Sequence, residues 1–386
     1  MIAVIADDFT GAAELAGLGL RFGLNVEIDS NGINKSNVDL LIIATDTRSM
    51  KSDEAYNLVS KIARKLKDFN VLWTYKKTDS VLRGNVLSEL KALIDVLGKE
   101  TVVLVPSNPA YGREIRNGIY YINDMPVHET GFSEDPEYSL KTSKVLDMLG
   151  SFENVSTYII TKKESSLKKG IAVAEASSIA DLDYWIDAIT DNVIPAGASG
   201  FFASLLKASG YKQKKLPIKS NIRYGKNILF VCGSAFSQGR IAVEEARLRG
   251  AKVCEMPDEV FYDKIPRDEH FQKWVDDTVN AFASSSKVII EINQPVVKEN
   301  GFAKRLRVDT ARLVEQVMKK IKIDELFIDG GATTYAITKQ LHLDKLLPCN
   351  EVAPGVIRMK VEDRDDFYIT IKPGSYTWPE EILKLN

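Results

Sequence analysis

The chain begins MIAVIADDFTGAAELAGLGLRFG (residues 1–23), and this stretch settles the architecture. An unbroken apolar run, IAVIA (2–6), stops at two adjacent acids, Asp7 and Asp8, and Thr10 and Gly11 then open a helical segment. Apolarity at every position, rather than every second one, marks a parallel strand buried on both faces. Folding alone gives no reason to end such a strand on two carboxylates. A ligand does, because parallel sheets bind ligands outside the carboxyl ends of their strands.

The same pattern recurs along the chain. Apolar runs stand at NVEID (25–29), DLLIIA (39–44), NVLWTY (70–75) and TVVLV (101–105), separated by helical spacings. The helix at 52–67 has Ser52 as its expected N-cap, Asp53 and Glu54 in its first turn and Arg64, Lys65 and Lys67 in its last, which suits the helix dipole. A second helix at 85–97 is closed by Gly98. The rhythm breaks over 115–150, where GIYYINDMPVHETGF (118–132) reads as a hairpin turning at Asn123-Asp124, an insertion over about 115–140. Strands return at STYII (156–160), IAVAEA (171–176) and NVIPAG (192–197).

A polar, basic, aperiodic stretch, YKQKKLPIKSNIRYGK (211–226), reads as a linker. Beyond it the alternation resumes with NILFVCG (227–233), AKVCEM (251–256), KVIIEI (287–292) and ELFIDGG (325–331). A helix over 310–322 carries Leu313, Val314, Val317, Met318 and Ile321 on one face, and VIRMKV and FYITIK read as antiparallel additions. The expectation is α/β: two doubly wound three-layer domains with mostly parallel sheets, residues 1–212 and 224–386, and a ligand cleft between them.

Composition narrows the function. A net charge of -2 and a pI near 6.1 lack the basic footprint of nucleic-acid binding. The cysteines Cys232, Cys254 and Cys349 are far apart and odd in number, which gives no disulfide framework and no CxxC spacing. No run approaches the ~18 apolar residues of a membrane span, and the amino terminus reads as strand rather than leader. A cytoplasmic protein with neither nucleic acid nor membrane as partner is expected.

Polar residues collect at the strand ends. Asp7, Asp8, Thr10 and Gly11 come after the first strand, and Asp46 and Arg48 after the third. KKTDSVLRGN (76–85) comes after the fourth, bringing Lys77, Asp79, Ser80 and Arg83, and PSNPAYGR (106–113) after the fifth, bringing Asn108 and Arg113. Asp8 or Thr10 alone could serve only as a helix cap. Together these groups match a small polyhydroxy carboxylate, with arginines for the carboxylate and acids for the hydroxyls, one acid acting as general base.

The second half offers glycine turns instead. These are CGSAFSQG (232–239), DGGATT (329–334) and EVAPGV (351–356), with PAGASG (195–200) ahead of the linker. Glycine-freed N–H groups at helix starts hold phosphate. There is no Walker A motif, no GxSxG elbow and no HExxH pair, so a P-loop enzyme, a serine triad and a catalytic zinc are all disfavoured. Any metal should be Mg²⁺ carried with phosphates.

The segments ADDFTGA (6–12), KKTDSVLRGN (76–85), PSNPAYGR (106–113) and PVHETGFSEDPEYSLKTS (126–143) resemble the four-carbon acid sugar kinase family, formerly a domain of unknown function. The resemblance covers the whole chain and is densest in the first 145 residues. It implies an N-terminal acid-sugar domain, a C-terminal ATP domain, and phosphorylation of the terminal hydroxyl of a threonate, an erythronate or a 3-oxo-tetronate. Carried over by motif, Asp8, Asp79 and Lys77 are the catalytic candidates. Asp7, Thr10, Gly11, Ser80, Arg83, Asn108 and Arg113 are the substrate-binding candidates. The nucleotide falls on Gly197, Ser199, Gly233, Ser234, Gly330, Gly331, Thr333 and Gly355, with ATP and Mg²⁺ as cofactors.

The second half departs from the family pattern. GASG replaces Gly-Ser-Ala-Gly, Ala332 replaces an acid, Ser237 and Arg240 replace a Thr-x-x-Gln pair, and IKPGSYT keeps only Lys372 and Gly374 of the carboxyl-terminal motif. Two alternatives therefore stay open. One is a non-catalytic sugar-acid-binding or regulatory protein with a degenerate ATP site. The other is a nicotinamide-dependent dehydrogenase, although neither half supplies a GxGxxG turn with its distal acid. The sequence leaves oligomeric state open, a homodimer among the options.

Overall fold

The computed structural model describes the chain except residues 31–35, 135–137, 164–165, 215–221, 234–236, 298, 300, 375 and 384–386. The middle of the linker expected at 211–226, residues 215–221, therefore falls outside the described residues. By contacts the chain divides into two units, Met1–Lys215 and Leu216–Asn386.

In the first unit the order is β1 (Ile2–Ala6), α1 (Phe9–Arg21), β2 (Val26–Asp29), β3 (Leu40–Ala44), α2 (Ser52–Leu66), β4 (Thr74–Lys77), α3 (Val86–Leu97) and β5 (Thr101–Val105). Then come β6 (Arg113–Arg116), β7 (Ile119–Ile122), β8 (Met125–Pro126), α4 (Val145–Leu149), β9 (Thr157–Ile160), β10 (Gly170–Ala174), α5 (Ile179–Tyr184), β11 (Val193–Gly197) and α6 (Ser199–Ala208). The main strands run parallel in the spatial order β2-β3-β1-β4-β11-β5-β10-β9. Every residue of β1 is fully buried, which accounts for its unbroken apolarity. β6, β7 and β8 form the small antiparallel sheet of the insertion, and its β7–β8 turn is made by Asn123 and Asp124, both left-handed.

The second unit holds β12 (Ile228–Cys232), α7 (Ser237–Leu248), β13 (Lys252–Glu255), α8 (Asp258–Phe261), α9 (Arg267–Ser284), β14 (Lys287–Glu291), α10 (Phe302–Lys320) and β15 (Glu325–Asp329). α11 (Gly331–Gln340), β16 (Lys345–Ala353), β17 (Val356–Val361), β18 (Arg364–Lys372) and α12 (Glu380–Leu383) complete it. Its strand order is β13-β14-β12-β15-β18-β17-β16.

The two units are wound alike. From β1 the chain goes to β2 on one side, returns through β3, and crosses over β1 to reach β4 on the other. From β12 it goes to β13, returns through β14, and crosses over β12 to reach β15. In each unit the direction of winding reverses between two neighbouring strands, β1 and β4 in one and β12 and β15 in the other. That reversal opens a crevice at their carboxyl ends.

Local expectations need four corrections. α2 is capped by Lys51 rather than Ser52, and the Glu54 carboxylate accepts the Lys51 N–H at 3.3 Å. β4 starts at Thr74, because Asn70–Trp73 is lead-in chain in which Leu72 stands exposed. α10 begins at Phe302, eight residues before the expected 310, directly after the left-handed Gly301. β18, expected to be wholly antiparallel, is antiparallel to β17 but parallel to β15, so its apolar end is covered from both sides. Among the described residues no helix is long and apolar enough to cross a membrane.

Candidate functional site

The first crevice is lined by the residues just past the carboxyl ends of β1 and β4. Asp8, in extended conformation, is the N-cap of α1, and its Oδ1 accepts the Gly11 N–H at 2.8 Å. A cap of this kind contributes about 1 kcal/mol. The capping reading is therefore correct for Asp8, but it accounts for only part of the carboxylate. Arg48, in the turn after β3, meets Asp7 through Nε at 2.8 Å and through Nη2 at 2.7 Å. The same Nη2 lies 3.0 Å from Asp8 Oδ1 and 3.5 Å from Asp79 Oδ1. One guanidinium thus gathers three carboxylates.

Burial opposes the charge on Arg48, but Asp7, Asp8 and Asp79 outweigh it and hold its pKa well above the usual value. Asp79 has a second partner. Arg83 grips it in a fork, Nε to Oδ2 at 2.8 Å and Nη2 to Oδ1 at 2.8 Å. Burial alone would raise the Asp79 pKa, yet Arg83 and then Arg48 hold it well below the carboxylate range. Both oxygens of this carboxylate are thus already engaged by guanidinium groups. Asp7 is 3 % exposed and Asp8 9 %, which makes Asp8 the more open of the pair.

Lys77, the last residue of β4, meets the same face of α1 as Asp8, at Gly11. Its Nζ donates to the Thr78 carbonyl at 2.9 Å and lies 3.7 Å from Glu14. Between acid and lysine stands Gly11, where a Cβ would come 2.9 Å from Asp8 Oδ1 and 3.0 Å from Lys77 Nζ. Glu14 accepts from Ser199 Oγ at 2.6 Å, and that hydroxyl accepts from Asn108 Nδ2 at 3.0 Å. Asn108 and Arg113 bond through their backbones in both directions, and the Arg113 guanidinium donates through Nη1 to Ser80 Oγ. The ring of Phe132, from the insertion, lies 5.1 Å from the Arg83 guanidinium and 5.9 Å from that of Arg113.

The candidate site is therefore a polar network in two parts, one gathering Asp7, Asp8, Gly11, Asp79 and Arg83 around Arg48 and the other running from Lys77 through Glu14, Ser199 and Asn108 to Arg113 and Ser80, with the Phe132 ring against an arginine of each. Thr10 sits half-buried in the first turn of α1 beside it. Gly197 and Ser199, expected on the nucleotide side, lie in the first unit. Gly197 accepts the Thr78 N–H at 3.1 Å and has φ +140, a conformation that suits glycine, with a Cβ there falling 2.0 Å from the Val105 carbonyl oxygen. Two members of the network have no role assigned from sequence. Arg48 is visible there only as one of the rim residues, although it is the centre of the acid cluster. Glu14 carries one signal: it is the sole acid in the segment 9–21.

The second crevice is lined differently. β12 ends at Cys232 and β15 at Asp329, side by side in register, and Asp329 is in turn level with Lys372 of β18. Lys372 Nζ donates to Asp329 Oδ1 at 2.6 Å, and both side chains are essentially without solvent contact. Burial raises the Asp329 pKa to about 6 against the pull of Lys372, and burial likewise raises that of Cys232. Above them the glycine turns close in. A Cβ on Gly233 would lie 2.6 Å from Thr333 Oγ1. Gly330 donates its N–H to the Lys372 carbonyl at 3.0 Å, and Gly331 starts α11. Ser234 lies outside the described residues. Gly355 makes the β16–β17 turn, packed on Tyr376 and Pro373 just after β18.

The chain thus carries two mostly parallel α/β units, one with a charged crevice and one with a glycine-lined crevice at the same winding reversal. Residues 2–205 match the family description "sugar-binding N-terminal domain" and residues 229–376 "nucleotide-binding C-terminal domain". The chain belongs to this two-domain family. It is 22% identical to a 3-oxo-tetronate kinase of Haemophilus influenzae, with 97% of each chain covered. It is 23% identical to a D-threonate kinase of Salmonella typhimurium, over 97% of this chain and 94% of that one. The solved structure of a Haemophilus influenzae protein superposes with a TM-score of 0.68 at 20% identity, covering 97% of this chain and 96% of that chain, a likeness of fold.

Proposed function

We propose that this chain is an ATP-dependent kinase of a small sugar acid, a four-carbon tetronate, acting on its terminal hydroxyl. The observation that carries this reading is the first crevice, where an open carboxylate faces a lysine across a glycine beside two arginines. The kinase relatives, similar along nearly their whole length, support it.

Each group has a distinct part in this reading. Arg83 is already neutralised by the Asp79 fork. Arg113 donates to Ser80 through Nη1, and its remaining donors suit the substrate carboxylate bidentately. Asp8 takes the proton of the attacking hydroxyl. Its Oδ1 is occupied by Gly11 and Arg48, and Oδ2 enters neither contact. Lys77 offsets charge on the transferring phosphoryl group. Asp7 and Asp79 hold Arg48 in place, Asn108 and Ser199 brace the opposite wall, and Thr10 presents a hydroxyl to the ligand.

In the second unit the turn at Gly233 and the start of α11 at Gly331 cradle the nucleotide phosphates with backbone N–H groups, while the Gly330 N–H is spent on the Lys372 carbonyl. Mg²⁺ would neutralise phosphate charge there. It needs few protein ligands, and Asp329 Oδ2, buried without a hydrogen-bond partner among the described residues, fits that need.

The test is an ADP-release assay with Mg-ATP against D- and L-threonate, the erythronates and their 3-oxo forms. Turnover with one of them is expected and would name the substrate. No turnover, together with a thermal shift from an acid sugar and none from ATP, would replace this reading with a binding protein.

A further inference from the structure

The second crevice contains a carboxylate where phosphate is expected, and its position is informative. Asp329 ends β15, the strand reached after the crossover, and is level with Cys232 at the end of β12. Its counterpart in the first unit is Lys77, which ends β4 level with Ala6 at the end of β1. The same place in the same winding holds a cation in one unit and an acid in the other.

Lys372 occupies Asp329 Oδ1 at 2.6 Å, while Oδ2 is buried and has no hydrogen-bond partner among the described residues. Leaving a buried carboxylate oxygen without a donor is costly unless something else satisfies it. That oxygen is aimed at the first turn of α7, where a Cβ on Gly239 would come within 2.9 Å of it. α7 and α11 both start beside this point, and free N–H groups at such helix starts attract anions. An acid oxygen lodged among anion-binding groups calls for a cation shared with the anion. Among the described residues no group of three or more His, Cys, Asp or Glu side chains is placed to hold a metal. Mg²⁺ commonly binds with one or two carboxylates plus the phosphates of its substrate.

We propose that Asp329, steadied by Lys372, is the protein's anchor for the divalent cation that accompanies the nucleotide phosphates, with Oδ2 taking the ion or one of its coordinated waters. The inference rests on the nucleotide reading of this crevice. It assigns to Asp329 and Lys372 a part in binding, and to Gly239 the part of keeping Oδ2 clear.

The test is calorimetric binding of ADP to the full chain, with Mg²⁺ and with EDTA, for wild type, Asp329→Asn, Asp329→Glu and Gly239→Ala. In wild type Mg²⁺ should tighten ADP binding about tenfold or more. Asp329→Asn should cut that ratio to about twofold or less without weakening ADP in EDTA, and Asp329→Glu should restore much of it. Gly239→Ala, which leaves the Asp329–Lys372 pair in place, should lower the ratio as well, and it carries the test if Asp329→Asn does not fold. A full Mg²⁺ effect in folded Asp329→Asn or, if that variant does not fold, in Gly239→Ala, or none in wild type that still binds ADP, would overturn the cation role alone. Failure of wild type to bind ADP under either condition would overturn the nucleotide reading and this inference with it.

Discussion

The two units share a winding order and differ in the side chains they place at its reversal. In the first, the ends of β1 and β4 carry Asp7, Asp8 and Asp79, tied together by Arg48 and Arg83, and Lys77, which pairs with Glu14. In the second, the ends of β12 and β15 lead into glycine turns over a buried pair, Asp329 and Lys372. Topology thus sets where a ligand sits, and the residues just past the strand ends set which ligand it is. A charged, side-chain-lined crevice can distinguish hydroxyls and carboxylates of a small acid. A backbone-lined crevice suits phosphate, which needs N–H donors more than it needs side chains.

Asp8→Asn puts the greatest stress on this contrast. Asparagine caps a helix as well as aspartate does, so α1 should survive while the base is lost. We expect turnover to fall about 10²- to 10⁴-fold with little change in melting temperature. Near wild-type turnover in the assay would take Asp8 out of the chemistry and leave the first crevice a binding site.

Arg48→Gln probes charge balance. Its side chain is 14% exposed, and removing it leaves Asp7, Asp8 and Asp79 short of a counter-charge. A loss of about 3 kcal/mol of stability is expected from denaturant unfolding. Lys372→Met, which strips the ammonium from Asp329, should cost less if Asp329 then takes up a proton. Equal losses would show that the two crevices are balanced in the same way.

The smallest effect is read through pH. Asp79 has a folded pKa below its unfolded one, so its contribution is present above about pH 4 and is lost as pH falls further. Asp329 has a folded pKa raised to about 6. Its contribution is fully present below its unfolded pKa and is lost as pH rises through 6. In EDTA and without nucleotide, stability relative to the matching Asn variants should slope in opposite directions for the two sites. Parallel slopes in urea titrations between about pH 3 and 7 would refute the assignment.

Much of this was legible in the sequence, for identifiable reasons. The fully buried parallel strands announce themselves because both faces need apolar residues, as IAVIA and TVVLV show. The first crevice was legible because its residues come directly after those strands. β16, KLLPCNEVA, was not expected as a strand, since its burial alternates irregularly and Pro348 interrupts it. The central place of Arg48 was hidden because it joins acids about 30 to 40 residues away along the chain on either side, which no local pattern encodes. Asp329 was overshadowed by the glycines next to it. Its significance depends on Lys372, brought level with it by a parallel pairing that the sequence did not suggest.

Gly11 is an instance of a protein declining an easy repair. Alanine in its place would favour the helix by roughly 0.5–1 kcal/mol, and a search for heat-resistant variants would be drawn to it. The methyl group would have to stand within 3.0 Å of both the Asp8 carboxylate and the Lys77 ammonium. In the proposed mechanism the missing atom lets Asp8 and Lys77 reach one ligand, so durability at this position trades directly against use.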